Sequence, residues 1–78
     1  MVRQFDTVWL KEAVTTEDTT GKMVYVPAET PAAVIDVYNN PPGYELDIEL
    51  DNGSDDDADH SFIMMAVPPD AVWEKKPL

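Results

Sequence analysis

Side chains alternate between apolar and acidic from residue 44 to residue 51, and this alternation is the feature that most constrains how the chain folds. Successive side chains of a β-strand point to opposite faces, so each face collects every second residue. One face of this segment would carry Tyr44, Leu46, Ile48 and Leu50, and the other Glu45, Asp47, Glu49 and Asp51. The pattern predicts an antiparallel strand with one face on a core and one face in water.

A second predicted strand, residues 32–38 (AAVIDVY), precedes the alternating segment and forms a hairpin with it. The connecting residues 39–43 (NNPPG) are all turn formers. A helix that begins at Pro31, with Thr30 as its N-cap, is the alternative for this region. The β-branched residues of the VIDV run favour a strand over that helix. We therefore expect this hairpin to be the structural centre of the fold.

The N-terminal segment supplies another strand. Residues 5–11 (FDTVWLK) are rich in β-branched and aromatic side chains, a composition typical of strands. Val8 and Leu10 are predicted to point into the core, and Trp9 to lie on the opposite face.

Two polar segments are predicted to be loops. Residues 12–22 (EAVTTEDTTGK) are rich in threonine and acid, and a short apolar segment follows them until Pro27 ends it. Asn52-Gly53 ordinarily signals a tight hairpin turn. Such a turn would place the next aspartates beside an acidic strand, and like charges opposite one another destabilise a sheet. Residues 52–59 are therefore predicted to form a wide exposed loop.

The C-terminal segment begins with residues 60–67 (HSFIMMAV), which are almost continuously apolar. This predicts a strand covered on both faces, either by the curvature of a barrel or by a partner subunit. Pro68 and Pro69 end it. Residues 70–73 fit one turn of 3-10 helix, and residues 73–76 a last short strand.

About five antiparallel strands, with a long loop after the first and a 3-10 turn before the last, have the layout of a small SH3-like barrel. We therefore predict an all-β fold in a single domain over residues 1–78. The sequence contains no internal repeat and no segment typical of a domain boundary.

Three segments also resemble a family of small uncharacterised bacterial proteins. DTVWL at residues 6–10, AVIDVY at residues 33–38 and YELDIEL at residues 44–50 are similar to that family's D-T-V-x-L, G-T-V-V-x-V-Y and Y-x-V-E-F strands. The chain departs from the family where Pro31 and two alanines replace a Gly-x-x-Gly-Thr pattern. The resemblance implies an SH3-like barrel without an established activity. Because some members are thought to be encoded beside toxin-like genes, it also implies an immunity or antitoxin role.

The charge distribution excludes several classes of partner. Sixteen acids oppose five bases, a net charge of -11, and no Lys or Arg lies between Met23 and Glu74. Such a field repels phosphate backbones and anionic membrane surfaces, and it attracts a basic protein. No apolar run approaches the roughly 20 residues that a membrane span needs, and the N-terminus does not resemble a signal peptide. We expect a cytoplasmic protein that binds neither nucleic acid nor membranes.

Catalytic chemistry has few candidate residues. The chain has no cysteine, its only histidine is His60, and its only serines are Ser54 and Ser61. Neighbours on one strand point to opposite faces, so His60 and Ser61 would diverge rather than form a nucleophile and its base. We expect neither an enzyme nor a cofactor.

The aspartates of residues 51–59 are the candidate cation ligands, because hard cations prefer oxygen. Their spacing does not match the calcium-loop motif D-x-[DN]-x-[DN]-G, and no glutamate stands at its closing position. A weak divalent-cation-binding module is one alternative function, without a specific metal site.

The main functional hypothesis is a non-catalytic acidic module that binds a basic protein, with an immunity or antitoxin-like inhibitor as its concrete form. The acidic strand face and the loop aspartates would supply charge complementarity, and an aromatic side chain would supply the anchor. The predicted partner-binding residues are Glu45, Asp47, Glu49, Asp51, Asp55, Asp56, Asp57, Trp9 and Tyr44. The other alternative is a structural or accessory subunit that forms homodimers or hetero-oligomers through its apolar strand, the FIMMAV run. A proline-rich-peptide groove lined by Trp9, Trp73, Tyr38 and Tyr44 is a further, less favoured interpretation.

Overall fold

The computed structural model describes residues 2–51 and 60–77, and the described residues form an all-β protein. All strand pairs are antiparallel. The strands in chain order are β1 (Thr7–Leu10), β2 (Val14–Glu17), β3 (Met23–Val26), β4 (Pro31–Asn39), β5 (Pro42–Asp51), β6 (His60–Val67) and β7 (Val72–Trp73). A 3-10 turn, Pro69–Ala71, precedes β7. The predicted all-β class is confirmed.

The strands are divided between a five-stranded sheet, in the order β6-β5-β4-β1-β7, and a separate hairpin of β2 and β3. The five-stranded sheet has β6 and β7 as its edges, so neither sheet closes on itself within the described residues. The hairpin contributes Val26 to the core, and Val14 and Val24 pack against that core.

The β2–β3 hairpin corrects one expectation, because residues 12–22 were predicted to be a loop. Val14 pairs with Val26 and Glu17 with Met23. The side chains of Val14 and Thr16 are partly buried, while those of Thr15 and Glu17 are exposed. The segment is therefore an alternating strand whose threonines suit a half-buried pleated surface, and its polarity concealed that alternation.

The core consists of the side chains that the alternation predicted, together with several from other elements. Val8 and Leu10 of β1 are buried as expected. Ile48 of β5 and Ile63 of β6 lie directly opposite each other and are both fully buried. The remaining core residues are Val2, Val26, Ala32, Val34, Leu46, Val67 and Val72.

The central β4–β5 hairpin is present and tighter than predicted. Asn39 pairs with Pro42, so only Asn40 and Pro41 connect the strands. A β-bulge interrupts the ladder, because the pairing passes from Val34↔Leu46 directly to Asp36↔Glu45 and leaves Ile35 without a partner residue. An extra residue of this kind re-aims the side chains that follow it.

The C-terminal elements differ from prediction at their boundaries and in their coverage. β6 spans the predicted residues 60–67, but only one of its faces is buried. Phe62 and Met64 are 47% and 56% exposed, so the expected cover on the second face is not supplied by the described residues. The 3-10 turn and the last strand each begin one residue earlier than predicted. None of the described elements is a helix of the length and apolarity required to cross a membrane.

Candidate protein-interaction face

The candidate site is the outer face of the five-stranded sheet, meaning the side turned away from the core. On β5, Leu46 and Ile48 are fully buried, whereas Asp47 and Glu49 are exposed and Glu45 is partly buried. Alternate residues of a strand are about 6.8 Å apart along one face. Glu45, Asp47 and Glu49, which we call the acidic row, therefore form an evenly spaced line of carboxylates, which are three of the four that the sequence predicted.

Asp36 of β4 extends the acidic row sideways. It is exposed and lies directly opposite Glu45 in the β4–β5 ladder. The bulge at Ile35 produces this arrangement: Val34 is buried, and Asp36, two residues later, would face inward if the strand were regular. Like charges opposite one another oppose strand pairing, so this pair adds electrostatic cost to the face.

Tyr38 stands beside these carboxylates, two residues beyond Asp36 on the same strand, and is 43% exposed. Partial desolvation raises the pKa of its phenol, and the negative charges of Glu45 and Asp36 raise it further. A hydrogen bond with the Glu45 side chain acts in the same direction. Tyr38 is thus an aromatic side chain at the border of the acidic row, a position that sequence reasoning assigned to Tyr44.

An exposed apolar row runs parallel to the acidic row. Residues opposite each other in an antiparallel pair project to the same face. The register pairs Glu49 with Phe62, Asp47 with Met64 and Glu45 with Ala66. All three β6 residues are exposed, and we call them the apolar row. The acidic strand face and the apolar strand, which support two rival functions at the level of sequence, therefore lie side by side in the fold.

Two predicted anchors lie outside this arrangement. Tyr44 is partly buried and packs against the core, on the opposite side of β5 from the acidic row. Trp9 is on the outer side of β1, paired with Pro31 and Trp73. Strand β4 separates β1 from β5, so Trp9 belongs to the other half of the sheet.

Trp9 lines a surface pocket of about 290 Å³ together with Glu29, Pro31, Lys76 and Pro77. Another pocket of about 290 Å³ lies between the end of β1 and the 3-10 turn, with Leu10 and Met65 among its lining residues. A third, of about 430 Å³, is lined by N-terminal residues with Glu74 and Lys75. The acidic row lines none of these three pockets.

The predicted loop aspartates Asp55, Asp56 and Asp57 lie outside the described residues. Asp51 is the last residue of β5, and its backbone pairs with His60. Within residues 2–51 and 60–77, no three His, Asp or Glu side chains are grouped closely enough to hold a metal ion.

The tip of the β2–β3 hairpin meets the free edge of β6. The Thr19 amide donates a 2.8 Å hydrogen bond to the Phe62 carbonyl. Asp18 holds this tip, since its Oδ1 accepts hydrogen bonds from the Thr20 hydroxyl and from the Thr20 and Lys22 amides. The Thr20 hydroxyl bond is the largest of the causes that lower the pKa of Asp18.

Comparisons with protein-family models, with curated proteins and with solved structures gave no match. The resemblance to the small bacterial family, and the role it implies, therefore stay predictions.

Proposed function

We propose that this protein is a non-catalytic interaction module that binds a basic protein through the outer face of its sheet. The observation that carries the proposal is the collection of Asp36, Glu45, Asp47 and Glu49 on one face of adjacent strands. Strands β4, β5 and β6 contain no Lys or Arg. Ordinary protein surfaces intersperse the two signs of charge.

Binding of a basic partner would offset the unfavourable electrostatic energy of the carboxylates on the outer face. Asp36 and Glu45 lie opposite each other and repel one another in the free protein, and cations supplied by a partner would reverse that repulsion. The same field steers a cationic protein toward the face and raises its association rate. In its most concrete form the module is an immunity-like inhibitor that covers a cationic, nucleic-acid-processing surface.

We also propose that the sheet and the hairpin together make an SH3-like barrel. The strand order β6-β5-β4-β1-β7, the long β2–β3 hairpin after the first strand and the 3-10 turn before the last strand support this assignment. In such a barrel the core is enclosed by both sheets, which leaves the outer face of β4, β5 and β6 as the broad surface available to a partner.

Affinity capture from the native host with matched variants tests the proposed function. The wild-type protein is compared with the double variant E45Q/D47N, which neutralises two carboxylates of the acidic row. D70N is the charge control, because Asp70 is an exposed carboxylate of the 3-10 turn and outside that row. We expect wild type and D70N to retain a basic protein that E45Q/D47N loses.

Salt provides the second readout of the same experiment. Exposed charges are screened over roughly 8–10 Å at physiological ionic strength, so the captured protein is expected to elute as NaCl is raised. A partner that E45Q/D47N retains as well as wild type, or that resists salt, would contradict the proposal.

Self-association is a second candidate function, favoured by the exposed Phe62 and Met64 on an edge strand. Exposed apolar patches on a protein surface often mark sites of association with another chain. Light scattering over a range of protein and salt concentrations distinguishes it from the first. A homodimer that persists at all salt concentrations and dissociates in the M64S variant would favour this candidate.

A further inference from the structure

We infer that the segment of the basic partner that docks on this face is an amphipathic helix, with apolar side chains on the apolar row and Lys or Arg on the acidic row. The inference rests on the proposed function and specifies the partner's chemistry. It comes from the register of β5 and β6, which places Asp47 beside Met64 and Glu49 beside Phe62.

The spacing of the two rows fits a helix laid along the strands. Residues four apart on a helix are separated by about 6 Å along its axis, against about 6.8 Å between alternate residues of a strand. Three helix residues at i, i+4 and i+7 span about 10.5 Å, against about 13.6 Å for three residues of a row, and long Lys and Arg side chains can absorb the difference of about 3 Å.

The lateral distance fits as well. Adjacent strands lie about 4.8 Å apart, so the acidic and apolar rows form two close parallel lines. Successive residues of a helix are about 100° apart around its axis. Apolar residues at positions i, i+4 and i+7 therefore lie beside a line of residues at i+1, i+5 and i+8, and Lys or Arg at the latter positions would face the acidic row.

A helix docked on this face has partners for its backbone amides and carbonyls, and an extended segment does not. The outer face of a sheet presents side chains, while the backbone amides and carbonyls bond within the plane of the sheet. An extended peptide lying on this face would leave its own backbone groups without partners, and such groups are costly to bury. A helix pairs its backbone internally.

Addition of a strand to the β6 edge is also obstructed at Phe62. The edge of β6 already holds the tip of the β2–β3 hairpin, through the hydrogen bond from the Thr19 amide to the Phe62 carbonyl. An incoming strand at Phe62 would have to displace that bond and the turn that Asp18 organises.

A second copy of the chain does not have the required chemistry. Each copy carries a net charge of -11. The helical element within residues 2–51 and 60–77 is the three-residue 3-10 turn Pro69–Ala71, which offers no row of cations. The occupant is therefore a different protein.

The test uses the full chain and a synthetic probe rather than an unidentified ligand. The probe is a fluorescent alanine-based helical peptide of about 18 residues, with Leu at i, i+4 and i+7 and Lys at i+1, i+5 and i+8. A peptide of the same composition with the Leu and Lys positions scrambled is its control. Fluorescence anisotropy measures the affinity of each peptide at low and high salt.

The protein variants test whether binding depends on where the substituted residue lies, and not only on which residue type is replaced. Met64 and Met23 are both 56% exposed, but Met23 lies on the separate hairpin. M64S is therefore compared with M23S, and D47N with D70N. Melting temperatures of all four variants establish that each remains folded.

We expect the amphipathic probe to bind at least about tenfold more tightly than the scrambled peptide, and M64S and D47N each to weaken it about three- to tenfold. M23S and D70N are expected to leave its affinity unchanged. Equal binding of the two peptides, both weakened by D47N, would overturn the amphipathic arrangement of the partner helix while leaving the acidic docking face intact. Binding that D47N and D70N weaken equally would overturn the docking face itself.

Discussion

Tyr38 is the residue that reports most directly on the potential of the outer face. Partial desolvation raises the pKa of its phenol, and the charges of Glu45 and Asp36 and a hydrogen bond with Glu45 raise that pKa further. A raised pKa means that the folded protein favours the neutral phenol. The stability that this group contributes is therefore present below the ordinary tyrosine pKa of about 10 and is lost as the pH rises through the higher folded value.

The substitution E45Q is predicted to lower the pKa of Tyr38 toward its ordinary value, because it removes the larger of the two charge effects and a charged hydrogen-bond partner. Ultraviolet titration of the phenolate, with the Y38F titration subtracted, isolates this residue. D36N should act in the same direction to a smaller extent. E17Q, on the separate hairpin, is the control, and an equal shift in that variant would show that total charge rather than local geometry sets the pKa.

Glu29 carries backbone strain at the other end of the sheet. Its φ of 67° lies in the left-handed region, where an L-residue with a Cβ costs about 1–2 kcal/mol. In this conformation the Glu29 amide donates a 2.7 Å hydrogen bond to the Leu10 carbonyl. Phe5 shows the same type of strain, with a φ of 74°.

E29G is predicted to stabilise the protein by about 0.5–1 kcal/mol, since glycine adopts this conformation without strain but loses more chain entropy on folding. Urea unfolding measures the change. E29A is the matched control, because it removes the same carboxylate and keeps the Cβ. A gain of equal size in E29A would assign the effect to charge instead of backbone conformation.

At the scale of elements, the two faces of β5 have opposite effects on the stability of the fold. Its inner face supplies Leu46 and Ile48 to the core, and its outer face supplies the acidic row. The hydrophobic burial that stabilises the strand therefore holds the carboxylates together on the outer side, despite their mutual repulsion.

I48A and D47T are predicted to have opposite effects on stability. I48A removes a fully buried side chain that faces Ile63 and should cost about 2–5 kcal/mol. D47T should leave stability unchanged or raise it by up to about 1 kcal/mol, because threonine suits a strand and one like charge is removed. Chemical denaturation measures both. Substantial destabilisation by D47T would indicate that the Asp47 carboxylate has a structural partner.

The β2–β3 hairpin shows where element prediction from sequence failed. The segment EAVTTEDTTGK is mostly polar, so only the positions of Val14 and Thr16 indicated a strand. Its pairing with β3 depends on a turn that Asp18 organises by accepting backbone amides, with Gly21 at a φ of 88°. Turn chemistry of this kind is readable in principle from DTTGK, but polarity alone also predicts a loop.

At the scale of the whole molecule, the net charge of -11 on 78 residues opposes compactness. Self-repulsion of an unbalanced charge destabilises a folded state, and dissolved salt screens it. The carboxylates of the outer face concentrate that repulsion on one side.

The melting temperature is predicted to rise as NaCl increases from a few millimolar to about 0.5 M, because screening relieves this repulsion. Differential scanning calorimetry measures it. The variant D36N/D47N should show a higher melting temperature at low salt and a smaller rise. A melting temperature that falls with NaCl would indicate that ion pairs outweigh repulsion in this fold.

The sequence by itself determined which side chains of β5 face the core and which face outward. Because side chains of a strand alternate between two faces, the alternation of residues 44–51 puts the apolar residues on one face and the acidic residues on the other. It also determined the β-class, the central hairpin and the span of β6. Only the tertiary structure decided what lies beside the acidic row. The bulge at Ile35 turned Asp36 outward, and the β5–β6 register brought Phe62 and Met64 to the same face. Both depend on pairing between segments distant in sequence, and local residue patterns do not specify that register.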